Sequence, residues 1–134
     1  MSFTVKITIP SDTRYLAVLR DLMAAVAKIV GRRSLPKRAE TTCTLALIEA
    51  VDNAIFHAHR HQTVLPISVE IKVEKGAVIM TISDCGPGLD HPAVHAPKLI
   101  ATKGRGLFII DRLMDGVETR MTGKGHALTL KLNI

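Results

Sequence analysis

The sequence predicts an α+β domain: one mostly antiparallel sheet with helices on one face. Three observations point to it. Short segments of strict apolar/polar alternation mark strands, and several of them adjoin in pairs. Longer segments carry apolar residues at helical spacing. The order reads β α α β β, a Gly/Pro-rich loop, then α β β, with strands running in pairs instead of alternating singly with helices.

The first strand is Phe3–Ile9, where Phe3, Val5, Ile7 and Ile9 alternate with Thr4, Lys6 and Thr8 before Pro10 ends it. "SDTRYLAVLRDLMAAVAKIVG" offers Ser11 or Asp12 as N-cap and Gly31 as the residue past the last turn. Its stripe is Leu16, Leu19, Leu22, Met23, Val26 and Ile29 or Val30. "GRRSLP" connects to a helix running from about Pro36 to His61, since proline suits a first turn. "PISVEIKVE" and "GAVIMTISD" alternate around the turn "EKG" and predict a hairpin. After "CGPGLDHPAVHAPKLIATKGRG" a short helix, "GLFIIDRLMDG", ends near Gly116. "VETRMTG" and "HALTLKLNI" then form two strands around "TGKG".

A length of 134 residues suits one domain with one core, expected over residues 1–134. Hydrophobic content of 47% and charged content of 22% predict a soluble globule and exclude a disordered chain. No apolar run is long enough for a membrane span, and the first residues lack the pattern of a signal peptide. Cys43 and Cys85 form neither a disulfide framework nor a zinc motif, so the expected compartment is a reducing cytoplasm. The net charge of +6 suits nucleic acid, an acidic protein or a phosphorylated ligand. With aromatic content of 3% and basic residues scattered outside "GRRSLPKR", the sequence argues against direct nucleic-acid binding.

The segment "LALIEAVDNAIFHAHRH" reads as a helix that is apolar almost all round, yet it holds Glu49, Asp52 and Asn53. A carboxylate in a buried helix without a partner is costly, so these groups are expected to line a cleft. Glu49 and Asn53 lie one turn apart on one face, His57 continues the row and Asp52 flanks it. A carboxylate in such a cleft can serve as general base, and an amide oxygen can ligate a hard cation such as Mg2+. An exposed polar face is the competing explanation; Ile48, Val51, Ala54 and Ile55 leave little room for one. His57 and His61 also have a spacing that can bind zinc, but no third ligand is placed to complete the site. Cys85 reads as an ordinary turn thiol.

"SDCGPGLD" puts Asp84 at the end of an apolar strand, where it can accept from the exocyclic amino group of a base; Gly86 and Gly88 let the chain turn tightly beside a ligand. "TKGRGLFII" sets Gly104 and Gly106 immediately before a helix, with Lys103 and Arg105 adding positive charge, which makes a candidate anion site. It is neither a dinucleotide fingerprint nor a P-loop.

The order E-x-x-x-N, D-x-G-x-G, G-x-G-L resembles the GHKL ATP-binding superfamily of gyrase, Hsp90, histidine kinases and MutL. The nearest likeness within it is to the small anti-sigma-factor serine kinases of bacterial stress and sporulation regulation. "EAVDNAIFHA" resembles their N-box, including the His at 57; "DCGPGLD" and "GRGLFIIDRLMDGVE" resemble their glycine boxes. The resemblance implies a two-layer, Bergerat-type sandwich and a nucleotide site of ATP with Mg2+. It implies that Glu49 activates the attacking hydroxyl, Asn53 holds Mg2+ on the triphosphate, and His57 belongs to the same wall. Asp84 would receive the adenine amino group, Gly86 and Gly88 would shape the pocket, and Lys103, Gly104, Arg105, Gly106 and Leu107 would close over the phosphates. The implied partners are a sigma factor and an anti-anti-sigma protein of the STAS type, with no membrane and a homodimeric chain. There are two departures: the last glycine box of the family reads G-T, whereas Gly125 is followed here by His126, and the segment between Gly88 and Gly104 is short.

Besides a basic nucleic-acid binder, which a steep salt dependence of binding would reveal, two other readings stand beside the kinase. One is a partner-binding regulatory module of the same fold with weak or no transfer activity. The other is the catalytic domain of a sensor histidine kinase, against which no phosphoacceptor helix is expected ahead of the first strand.

Overall fold

The computed structural model describes residues 2–58, 62–85 and 105–134, with 57–58 and 105–107 by backbone alone. Strands β1 (Phe3–Pro10), β2 (Pro66–Glu74), β3 (Ala77–Asp84), β4 (Gly116–Met121) and β5 (His126–Asn133) form one sheet in the order β1-β2-β3-β5-β4. Every neighbouring pair is antiparallel. Helices α1 (Leu16–Val30), α2 (Lys37–Asn53) and α3 (Arg105–Leu113) complete the domain. The expected α+β architecture is the one observed.

The alternation in the strands decides which face meets the helices. Ile67, Val69, Ile71 and Val73 of β2 are buried, as are Val78, Met80 and Ile82 of β3. Their intervening neighbours are only partly buried and include Ser68, Glu70, Thr81 and Ser83. On that second face the Thr81 and Thr129 hydroxyls lie 3.4 Å apart across β3 and β5. The Lys75–Gly76 turn joins β2 to β3, and Gly76 has φ of 83°, a conformation glycine adopts without a Cβ clash.

Helix α1 contributes Leu19, Met23, Val26, Ala27 and Val30 to the core, while Ile29 is 67% exposed, so Val30 completes the stripe. Between the two cap candidates the structure separates the roles. The Asp12 carboxylate accepts from Arg14 N at 2.9 Å and caps a short 3-10 turn, Thr13–Tyr15. Ser11 is buried, and its hydroxyl donates to the Leu65 carbonyl at 2.7 Å, tying the end of β1 to the entry of β2. Gly31 ends α1 at φ 85°, ψ 159°, a region essentially restricted to glycine.

Helix α2 packs against α1, α3, β3 and β5. Cys43, Ala46, Leu47, Ala50 and Val51 form its buried side. The helix is not apolar-buried all round: Leu45 and Phe56 are exposed, so α2 keeps a solvent face. Its predicted course to His61 also needs correction. The α-helix stops at Asn53 and continues as a π-turn, Ala54–Ala58. Residues 59–61 lie outside the described residues, and with them the predicted end of the helix. At the opposite end, Glu40 is buried and accepts from Arg32 Nη1 at 2.7 Å, with Lys37 Nζ at 3.7 Å. These contacts fasten the α1–α2 connector to the first turn of α2.

Candidate functional site

The candidate site begins at the end of the middle strand. β3 runs apolar through Ile82 and finishes on Asp84, which is 7% exposed. A buried carboxylate is stable only with compensating partners. One of them comes from β5, whose first residue, His126, is the register partner of Asp84. His126 is 5% exposed, and its Nδ1 lies 3.7 Å from Asp84 Oδ2. Among the described residues the other ring nitrogen, Nε2, is buried without a hydrogen-bond partner.

The turn before β5 presses on the same place. Thr122 Oγ1 accepts from Lys124 N at 3.3 Å and from Gly125 N at 2.9 Å, and Thr122 N donates to the Gly125 carbonyl at 2.8 Å. This tight turn sets Gly125 directly over the end of β3. A Cβ at Gly125 would run into the Asp84 carbonyl oxygen and stand 2.8 Å from Cys85 Cα. Glycine is therefore required there by close backbone approach, a role distinct from supplying positive φ.

The facing element is α2, which packs on both β3 and β5. Glu49, Asp52 and Asn53 are all half-buried. Glu49 and Asn53 are one α-helical turn apart, as expected. Among the described residues Glu49 makes no hydrogen bond or ion pair, which leaves its carboxylate available to an incoming donor. Asn53 Nδ2 is buried and likewise unpartnered among them. An amide held in this state is unusual and fits a side chain arranged around a group it binds. The backbone changes period at the next residue. Ala54 N is shared between the carbonyls of Ala50 and Val51 as the π-turn begins. Such turns within helices recur at functional sites. His57 lies in this π-turn and is described by its backbone alone, so its expected alignment with Glu49 and Asn53 lies outside the described residues.

Arg105, Gly106 and Leu107 lie within α3, whose described residues begin at Arg105, instead of ahead of it. Unpaired N–H groups of a first turn attract anions. Gly86, Gly88, Lys103 and Gly104 lie outside the described residues, as does the short segment between the glycine boxes. His59 and His61 lie outside them too. Among the described residues no cluster of three metal-ligating side chains occurs.

Two features of the site were missed as site residues in the sequence. Gly125 and His126 read there as the last glycine box with its Thr replaced, and their contact with Asp84 is not visible in the sequence. A cavity of about 370 Å3 lies elsewhere, along α1 and the first half of α2, lined by Arg20, Glu40, Thr41, Thr44, Leu45 and Ile48 among others. It contains none of the predicted site residues.

An antiparallel sheet backed by helices, with a buried carboxylate closing its middle strand, defines an α+β domain. The class is narrowed by the sequence model of the histidine kinase-like ATPase domain, which matches residues 9–132; the chain belongs to that family. Two bacterial relatives are each named Serine-protein kinase RsbW. The one from Bacillus velezensis is 24% identical over 140 aligned residues, covering 96% of this chain and 86% of the relative. The one from Oceanobacillus iheyensis is 26% identical over 125 residues, covering 85% and 77%. The fold is shared with the histidine kinase domain of the Erythrobacter litoralis EL346 blue-light activated histidine kinase, at a TM-score of 0.60 and 18% identity. That match covers 92% of this chain and 60% of the other, so the chain spans three-fifths of that kinase domain.

No helix among the described residues is long and apolar enough to cross a membrane.

Proposed function

We propose that this chain is an anti-sigma factor and an ATP-dependent serine kinase that phosphorylates an anti-anti-sigma protein of the STAS type. The observation that carries the reading is Asp84, a carboxylate buried at the end of the middle strand of a histidine kinase-like ATPase domain. Such a group suits the exocyclic amino group of adenine, which donates to it. The two relatives named serine-protein kinases support serine as the acceptor. The sigma factor, the antagonist and the homodimer rest on the motif resemblance.

Within this reading, Glu49 takes the proton of the serine hydroxyl as its oxygen bonds to the γ-phosphorus and the bond to the leaving ADP oxygen breaks. Asn53 would present its amide oxygen to Mg2+, a task its half-buried position on α2 fits, and its unpartnered Nδ2 is left to donate to an acceptor such as a phosphate oxygen. Mg2+, when bound, would supply charge neutralisation on the phosphates. Lys103, Gly104, Arg105, Gly106 and Leu107 close over the phosphates in this reading, as the motif resemblance implies. Gly86 and Gly88 shape the base pocket, and His57 contributes to the wall that holds Asn53.

Calorimetric titration with ATP and Mg2+, with GTP as control, tests the nucleotide site. The expected result is Mg2+-dependent binding selective for ATP, followed by transfer of labelled γ-phosphate to a serine of the antagonist. Absence of binding at millimolar nucleotide would overturn the kinase reading in favour of a partner-binding module.

A further inference from the structure

We infer that His126 makes nucleotide binding at Asp84 pH-dependent, with ATP held more tightly when the imidazole is neutral. The inference rests on the proposal that Asp84 receives the adenine amino group, and adds a regulatory property to that same site.

The geometry is specific. His126 and Asp84 are register partners on adjacent strands, both side chains are 6% exposed, and Nδ1 stands 3.7 Å from Oδ2. Gly125 locks the pair in place, because the turn that carries it abuts the backbone of Asp84 and Cys85.

Histidine changes charge near physiological pH, and in a poorly solvated site that charge acts strongly on a neighbour at this distance. A neutral imidazole leaves Asp84 a full carboxylate, and the hydrogen bond from an exocyclic amino group keeps its charge assistance. An imidazolium cancels the carboxylate charge and draws Oδ2 into its own ion pair. The base then meets a weaker acceptor.

Among the described residues, the other ionisable groups on the elements next to His126 come from four places. Cys85 follows Asp84 and is exposed; Arg120 of β4 and Lys124 of the β4–β5 turn are exposed. Opposite His126 on β4 stands Met121, which carries no charge. From α2, which packs on β3 and β5, come Glu49 and Asp52, both half-buried. Among the described residues Asp84 is the acid at ion-pair distance from the ring.

The sign follows from linkage. If protonation of His126 weakens ATP binding, ATP must lower the pH at which His126 titrates, by the same factor. ATP affinity therefore rises with pH through the histidine range.

The test compares the full chain with His126→Thr and His126→Gln by calorimetry with ATP and Mg2+ between pH 5.5 and pH 8.5, the affinity ratio at each pH cancelling the titration of the phosphates. The loss of a charge-assisted hydrogen bond to a neutralised acceptor sets the expected size. The parent chain should lose about fivefold more affinity than either variant on going to the acid end. A second readout is the NMR titration of the His126 ring, assigned by its absence in His126→Gln. Saturating ATP should move its midpoint to lower pH. Parallel pH curves for parent and variants, or an ATP-independent midpoint, would overturn the inference while leaving the ATP site standing. Failure of all three proteins to bind ATP at any pH would overturn both.

Discussion

At the scale of single residues, the proposed chemistry divides between two carboxylates in different settings. Glu49 is half-buried on α2 and Asp84 is buried at the end of β3. Removing each should therefore have a different signature. Glu49→Ala should lower phosphoryl transfer about a hundred- to ten-thousandfold, the usual contribution of a general base, with ATP affinity by calorimetry unchanged. Retention of full transfer would reject the assignment. Asp84→Asn should weaken ATP binding about tenfold to a hundredfold, the cost of losing a hydrogen bond to a charged acceptor. Gly125→Ala should harm both stability and binding, because the added methyl meets the Asp84 carbonyl. Overpacking of this kind costs about 1–3 kcal/mol, measurable by urea denaturation. Neither Gly125 nor the His126–Asp84 pair was legible as a contact in the sequence. Forty-one residues separate the two strands, and nothing local says which turn will land on the end of β3.

At the scale of elements, the strands were the most legible part of the chain. Their period of two is a binary signal, and burial on one face of the sheet follows it through Ile67–Val73 and Val78–Ile82. Helix ends carried chemical marks as well: Gly31 does stand past the last turn of α1. Gly31→Ala should cost about 1–3 kcal/mol, since its φ and ψ are strained for any residue with a Cβ; denaturant midpoints of the two proteins would show it. The π-turn after Asn53 was not legible. It arises when backbone bonding shifts by one residue, and a run such as Ala54-Ile55-Phe56 looks the same under either pattern. Glu49 and Asn53 keep the predicted one-turn spacing, while His57 falls in the π-turn and its side chain lies outside the described residues.

At the scale of the whole molecule, the two cysteines report the core and the rim separately. Cys43 is fully buried and its thiol is pushed up to about 12 by burial; Cys85 is exposed. A thiol reagent under native conditions should modify Cys85 quickly, and Cys43 only after unfolding. Stability should also fall in alkali. The ordinary thiol value is 9.0 and the folded value about 12, so the contribution is complete below pH 9 and is lost as pH rises toward 12. The slope should reach about 1.4 kcal/mol per pH unit, and should disappear in Cys43→Ala. Equal alkaline curves for the two proteins would contradict the burial argument.

The strand order has a consequence for how the domain assembles. β5 follows every other strand along the chain, yet it lies between β3 and β4, and β4 touches no other strand. A nascent chain that stops short of His126 can pair only β1, β2 and β3, and leaves one side of β3 without its hydrogen-bonding neighbour. β1 waits just as long for its partner, since both helices α1 and α2 intervene before β2. Such distant pairings slow folding. The carboxylate at the end of β3 meets its imidazole only when that final strand slots in. A ribosome-bound intermediate would thus hold a core without a nucleotide pocket, and competence to bind would arrive last, together with the closing of the sheet.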